Sequence, residues 1–135
     1  PESRFSANFT LLGIHPGFGL SYTLPRLIGV QAACDMFYTG RRVKGDEALA
    51  LGLLDRLVGR EQVREAARQK ALEIAAAAPL AVVSVRQTLR GHLAEEVRRA
   101  TAHELEEQNW LLKTADAREG VRAVAERRTG RFVGQ

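Results

Sequence analysis

Apolar positions along the chain change period several times, and each change marks an element. Over residues 3–9, Phe5, Ala7 and Phe9 alternate with Arg4, Ser6 and Asn8, the period-two pattern of a strand. A single strand is no sheet, so this segment either pairs with chain outside this sequence or stands as an orphan edge. From Leu20 the period lengthens: Leu20, Leu24, Leu27 and Ile28 fall at helical spacing, and Gly29 ends the element. A second helix from about Val30 to Tyr38 stops at Gly40. Pro25, inside the first of these, predicts a kink or a break. Asp46 is suited to cap a short helix through Leu51 that halts at Gly52, and residues 53–58 read as a short strand or extended piece.

Beyond residue 60 the pattern is helical throughout. Between Glu61 and Ala77, the positions Val63, Ala66, Ala67, Ala71, Ile74 and Ala75 form one apolar stripe. Pro79 suits the first turn of the next helix, with Val82, Val85, Leu89 and Leu93 predicted inward. A long helix from about Ala94 to Lys113 presents Val97, Ala100, Glu104, Gln108 and Leu111 on one face. Glu104 there reads either as a buried acid or as the partner of Gln108, at i,i+4 or across a subunit contact. Asp116 and Glu119 have capping-box spacing for a last helix through about Arg128. The chain is therefore expected to be mostly α-helical with one or two short N-terminal strands.

Composition narrows the class. A chain of 135 residues is one domain's worth, able to bury roughly two thirds of its unfolded surface. With 45% hydrophobic and 27% charged residues, and no apolar run approaching the roughly 18 residues of a membrane span, a globular protein without a membrane is expected. Cys34 is alone and no leader pattern opens the sequence, so a disulfide framework is not expected and a cytoplasmic location is. The cysteine itself reads as a small buried hydrophobe on a helix. The net charge of +4 is carried mainly by arginine, whose fork suits phosphate. Aromatic residues do not interleave with the basic ones, which argues against nucleic acid. His15, His92 and His103 are far apart and have no cysteine partner, so no metal site is expected.

Candidate chemistry centres on Pro16-Gly17-Phe18-Gly19, which runs straight into the first helix. Glycines permit a close approach, and a helix start leaves N–H donors bare, so the segment is predicted to face a ligand. His15 either faces that ligand or is satisfied by nearby backbone.

These segments follow an order and spacing that resemble the C-terminal half of the enoyl-CoA hydratase/isomerase (crotonase) family. They are Phe5 to Gly13, Pro16-Gly17-Phe18-Gly19, Leu24 to Gly29, Tyr38 to Val43, Glu47 to Leu53 and Thr114 to Val121. The resemblance implies an α/β crotonase-like fold for the whole protein. Residues 1–59 would end its core, residues 60–135 would form a helical oligomerisation region, and both would belong to one structural unit. It further implies a lyase or isomerase of fatty acid metabolism that stabilises a thioester enolate, with acyl-CoA as substrate, no separate cofactor, and a homotrimer or hexamer.

In the family both oxyanion-hole donors and the first catalytic glutamate precede this region, so the missing N-terminal half of the same protein is an implied partner and the fragment alone is expected to be inactive. The second glutamate of hydratases falls at Phe9, which favours isomerase-like or other non-hydratase chemistry and leaves no catalytic residue identifiable here. Substrate contacts are implied at Phe9, Pro16, Gly17, Phe37 and Tyr38, with the helix after Gly19 adding its dipole. Coenzyme A contacts are implied at Val124 and Arg127, on a segment that in similar enzymes reaches a neighbouring subunit's coenzyme A. Trp110, Leu111 and Leu112 suit either a subunit interface or an ordinary core. The alternative is a non-catalytic CoA-binding or oligomerisation module.

Overall fold

Phe5 finds its partner inside the chain. In the computed structural model, which describes residues 2–135, strand β1 (Arg4–Ser6) pairs antiparallel with β2 (Arg42–Lys44), setting Phe5 opposite Val43. The expectation of an orphan edge is corrected. Val43 is fully buried between two exposed basic residues, and three residues are too few to show a period along the sequence. The strand is also shorter than its alternation suggests, because Phe9 already leads a 3-10 turn at Thr10–Leu12.

Helices α1 (Leu20–Ile28) and α2 (Val30–Thr39) follow, separated by Gly29, and α2 ends on Gly40 in the left-handed conformation that favours glycine. Pro25 lies within α1 without ending it. Helix α3 (Gly45–Ala50) starts two residues earlier than expected, with Lys44 at its N-cap, so Asp46 sits in its first turn rather than at its cap. Residues 53–58 carry no strand; Leu53 and Leu54 instead lie against the core as irregular chain. Leu24, Ile28, Ala33, Met36, Val43 and Ala48 make up that core together with Ala7. Arg41 ties its rim together by pairing with Asp35 of α2 at 2.5 Å and Glu47 of α3 at 2.7 Å.

Helices α4 (Val63–Ala75), α5 (Pro79–Arg90), α6 (Leu93–Leu111) and α7 (Ala115–Ala125) complete the chain. The apolar stripes of α4 and α5 are present but uncovered: Ile74, Leu80, Val85 and Leu89 are all exposed. The inward placement expected for Val85 and Leu89 is thus corrected, since no described element packs on that face. No single helix is long and apolar enough to cross a membrane. Helix α6 lies along α1 with its predicted face, and α7 packs on the 3-10 turn. That last contact is close enough to need glycine on both sides. A Cβ at Gly120 would meet Leu12 O at 2.7 Å, and one at Gly13, whose φ is 71°, would meet Asp116 O at 2.6 Å.

Candidate functional site

The glycine loop does not offer its helix start to a ligand. Glu104, only 1% exposed, reaches from α6 and accepts the N–H of Gly19 at 2.7 Å and that of Ser21 at 2.9 Å, with the Ser21 hydroxyl at 2.5 Å. A carboxylate at a helix N-terminus satisfies its orphan donors and complements its dipole, so the expected ligand is replaced by an internal one. Gln108, one turn on, donates its amide to the carbonyl of His15 at 2.9 Å. The anticipated Glu104–Gln108 pairing is corrected: both side chains face the loop, and each clamps a different part of it. Gly17 lies buried beneath the Gln108 amide, which a Cβ would approach to 2.9 Å.

The other side of the loop borders a cavity of about 800 Å³. Its walls bring together Pro16 and His15 from the loop, Cys34, Phe37 and Tyr38 from α2, and Trp110 from α6. Three of the five residues expected to meet substrate thus converge, although they are distant in sequence. Gly17 and Phe9 are not among the lining residues. Phe9 instead packs, partly buried, against the hydrophobic core.

His15 Nδ1 lies 2.8 Å from the Pro16 carbonyl, the satisfied arrangement, and its ring meets that of His103 edge-on at 5.9 Å. Cys34, half-buried rather than buried as expected, stands 3.7 Å from the Tyr38 hydroxyl, and this hydrogen bond pushes the phenol above its ordinary value. Among the described residues, the one side-chain carboxylate on the cavity wall is that of Asp116.

Asp116 is not the cap of α7. That position belongs to Thr114, whose hydroxyl accepts the Ala117 N–H at 3.0 Å, and this frees the carboxylates of Asp116 and Glu119 for the C-terminal tail. Asp116 accepts the N–H groups of Val133 and Gly134 at 2.7 and 2.8 Å, and Glu119 accepts that of Arg131 at 2.9 Å. The Arg128 guanidinium, followed by that tail amide, holds Glu119 down at about 2, against an ordinary 4.5. A group whose value is lowered on folding stabilises fully above its unfolded value and is lost as pH falls through the folded one. The Arg131 amide is therefore expected to stay protected from exchange at pH 5 and to lose protection between pH 4.5 and about 2. Amide exchange by NMR checks this, and loss at higher pH would assign the tail to another contact.

A second depression, of about 710 Å³, holds both residues expected to meet coenzyme A, Val124 and Arg127, beside Asn8, Gly40 and Arg42. Neither Arg42 nor Arg127 forms an ion pair among the described residues. Arg127 adopts a left-handed φ of 56° at the end of α7. The arm carrying these residues packs on its own chain's 3-10 turn.

A family model for enoyl-CoA hydratase/isomerase matches residues 1–135. The chain belongs to the enoyl-CoA hydratase/isomerase family. Among its relatives, the short-chain-enoyl-CoA hydratase of Clostridium acetobutylicum is 32% identical over 127 residues, covering 94% of this chain and 49% of the relative. The carnitinyl-CoA dehydratase of Salmonella typhi is 32% identical over 138 residues, covering 96% and 53%. A crystal structure of an enoyl-CoA hydratase/isomerase from Pseudoalteromonas atlantica T6c superposes with a TM-score of 0.83 at 30% identity, over 97% of this chain and 53% of that one. The chain spans about half the length of the curated relatives it matches, and it has the mostly helical part of their α/β fold.

The sequence reasoning missed Glu104's partners, Arg42 and the tail residue Phe132, which also lines the first cavity. Only Glu104 carried a signal, as an acid amid an apolar stripe.

Proposed function

We propose that this chain provides the acyl-group wall and the coenzyme A-contacting arm of an enzyme that processes acyl-CoA thioesters through an enolate. What carries the reading is the convergence of Pro16, Phe37 and Tyr38 on one cavity in a member of this family. Arg127 and Arg42 around the second depression add two cations without an ion-pair partner among the described residues, suited to phosphate. Coenzyme A enters as part of the substrate, and no separate cofactor is invoked. The oxyanion-hole donors and the first acid belong to the N-terminal half implied by the family. Exposed Trp110 and Leu112 support a trimer or hexamer as the assembled form.

Within that reading, non-hydratase chemistry fits the wall better than hydration. Adding water across a double bond needs groups that hold a water and divide its proton and hydroxyl between two carbons. Phe9 supplies no carboxylate, and both oxygens of Asp116 are already occupied by tail N–H groups. Shifting a double bond needs one base, which removes a proton beside the thioester and returns it two carbons along.

Titration with acyl-CoA is expected to change the fluorescence of Trp110, the single tryptophan, saturably. Replacing Arg127 by alanine should weaken binding roughly tenfold through the lost charge-assisted hydrogen bonds. Absence of binding overturns the acyl-wall reading. Conversion of crotonyl-CoA at enzymatic rates, followed by loss of the conjugated thioester absorbance, overturns the non-hydratase part. Binding without turnover of any enoyl-CoA by the fuller protein would leave the non-catalytic module.

A further inference from the structure

Part of the wall of the first cavity is neither helix nor strand but the C-terminal tail, with Phe132, Gly134 and Gln135 among its lining. Phe132 lines the cavity, and the residues around it are fastened by their backbone rather than by their side chains. Glu119 holds the N–H of Arg131, Asp116 holds those of Val133 and Gly134, and the main-chain oxygen of Gln135 accepts the N–H of Ala115 at 2.7 Å. The ring itself rests on Gly130, where an added methyl would come within 2.6 Å of its Cζ. A pinned backbone on both sides and a seat for the ring fix the direction in which the phenyl points. Such fixation has a purpose at a wall that must have a definite position, because an apolar cavity discriminates chain length by where it ends. Nothing in this arrangement depends on the residue 132 side chain for holding the tail.

We propose that Phe132 is the residue that sets the length of acyl group the cavity accepts, with Asp116 and Glu119 as positioning residues that hold the tail carrying it. The inference rests on the acyl-CoA reading of the cavity. It assigns that cavity an acyl group whose reach is limited by the phenyl ring.

The test is a series of straight-chain saturated acyl-CoA thioesters of increasing length, each titrated into the purified chain and into the Phe132→Ala and Phe132→Trp variants, with Trp110 fluorescence and calorimetry as readouts. Calorimetry covers the tryptophan variant, where a second indole complicates the optical signal. For the parent chain, affinity should rise roughly fourfold per methylene up to a limiting length and then level or fall. Phe132→Ala should move that limit about two methylenes longer, gaining roughly fourfold for each methylene newly covered. Phe132→Trp should move it the opposite way. Coenzyme A without an acyl group should bind all three proteins equally.

An unchanged limit in both variants overturns the proposal while leaving acyl-CoA binding intact. So does a uniform loss across all lengths, which would mark Phe132 as a merely structural residue. If the parent chain binds coenzyme A but shows no dependence on acyl length, the cavity is not the acyl site and both readings of it fail. Opposite shifts in the two variants support the assignment, because a loosened tail would move the limit in one direction only.

Discussion

Gly120→Ala is expected to detach α7 from the 3-10 turn and to lower stability by about 3 kcal/mol, at the upper end of what overpacking costs. The added methyl would meet the Leu12 carbonyl oxygen at 2.7 Å, and that obstacle is backbone, which cannot rotate aside. Gly13 faces Asp116 across the same contact with a φ of 71°, so the turn cannot yield toward the helix instead. At roughly 4 °C per kcal/mol for a chain of this size, the melting midpoint should fall by about 12 °C. Circular dichroism melts measure this. A midpoint within a degree or two of the parent's would mean that α7 does not seat on Leu12. Because the second depression is walled by residues of α7 and of the turn, the coenzyme A binding proposed there is expected to weaken with it.

Glu104→Ala is expected to cost a similar amount by a different route. Removal of the carboxylate leaves the N–H groups of Gly19 and Ser21 without an acceptor inside the protein, at about 1–3 kcal/mol for each buried donor. Glu104→Gln provides the internal comparison. It keeps one acceptor oxygen and places an amide donor against another donor, so about half of the loss should remain. Chemical denaturation of the three proteins gives the ratio. Equal stabilities for parent and alanine variant would show that water satisfies the helix start as well as Glu104 does.

Glu104 also illustrates what the sequence could and could not disclose. Its place on an apolar face of α6 was legible from spacing, as was its membership in a line with Val97, Ala100, Gln108 and Leu111. The receiving groups were not, because they are backbone N–H groups, which every sequence contains everywhere. The glycine loop was misread for the same reason: bare donors at a helix start predict an acceptor but not whether it is a ligand or a side chain of the same chain. Helix ends at Gly29 and Gly40 were legible, since a left-handed backbone leaves a residue-type mark. β2 was not, because Arg42 and Lys44 flank one buried valine and resemble a polar loop. Thr114 and Asp116 both suit a cap, and only the tail's demand for acceptors decides which of them serves. The stripes of α4 and α5 were correctly seen as stripes, while what lies over them is no property of those helices.

The family's residues divide in an informative way. Pro16, Phe37 and Tyr38 meet at one cavity and Val124 and Arg127 at another, so positions implied by resemblance sort into two separate surfaces of the fold. Phe9 joins neither. An apolar residue at the head of a 3-10 turn is drawn to the core that an ionised one would avoid.

The carboxylate that closes the start of α1 stands 85 residues further along the chain. During synthesis from the N-terminus, the glycine loop must therefore emerge with its amides still bound to water and wait until α6 has been made. Contacts of such wide separation slow folding, because the loop between them must close before they yield anything in return. The last native geometry to mature should be that of the loop beside the cavity. A nascent chain halted before residue 104 would carry the full Pro-Gly-x-Gly segment and yet hold it in no fixed shape.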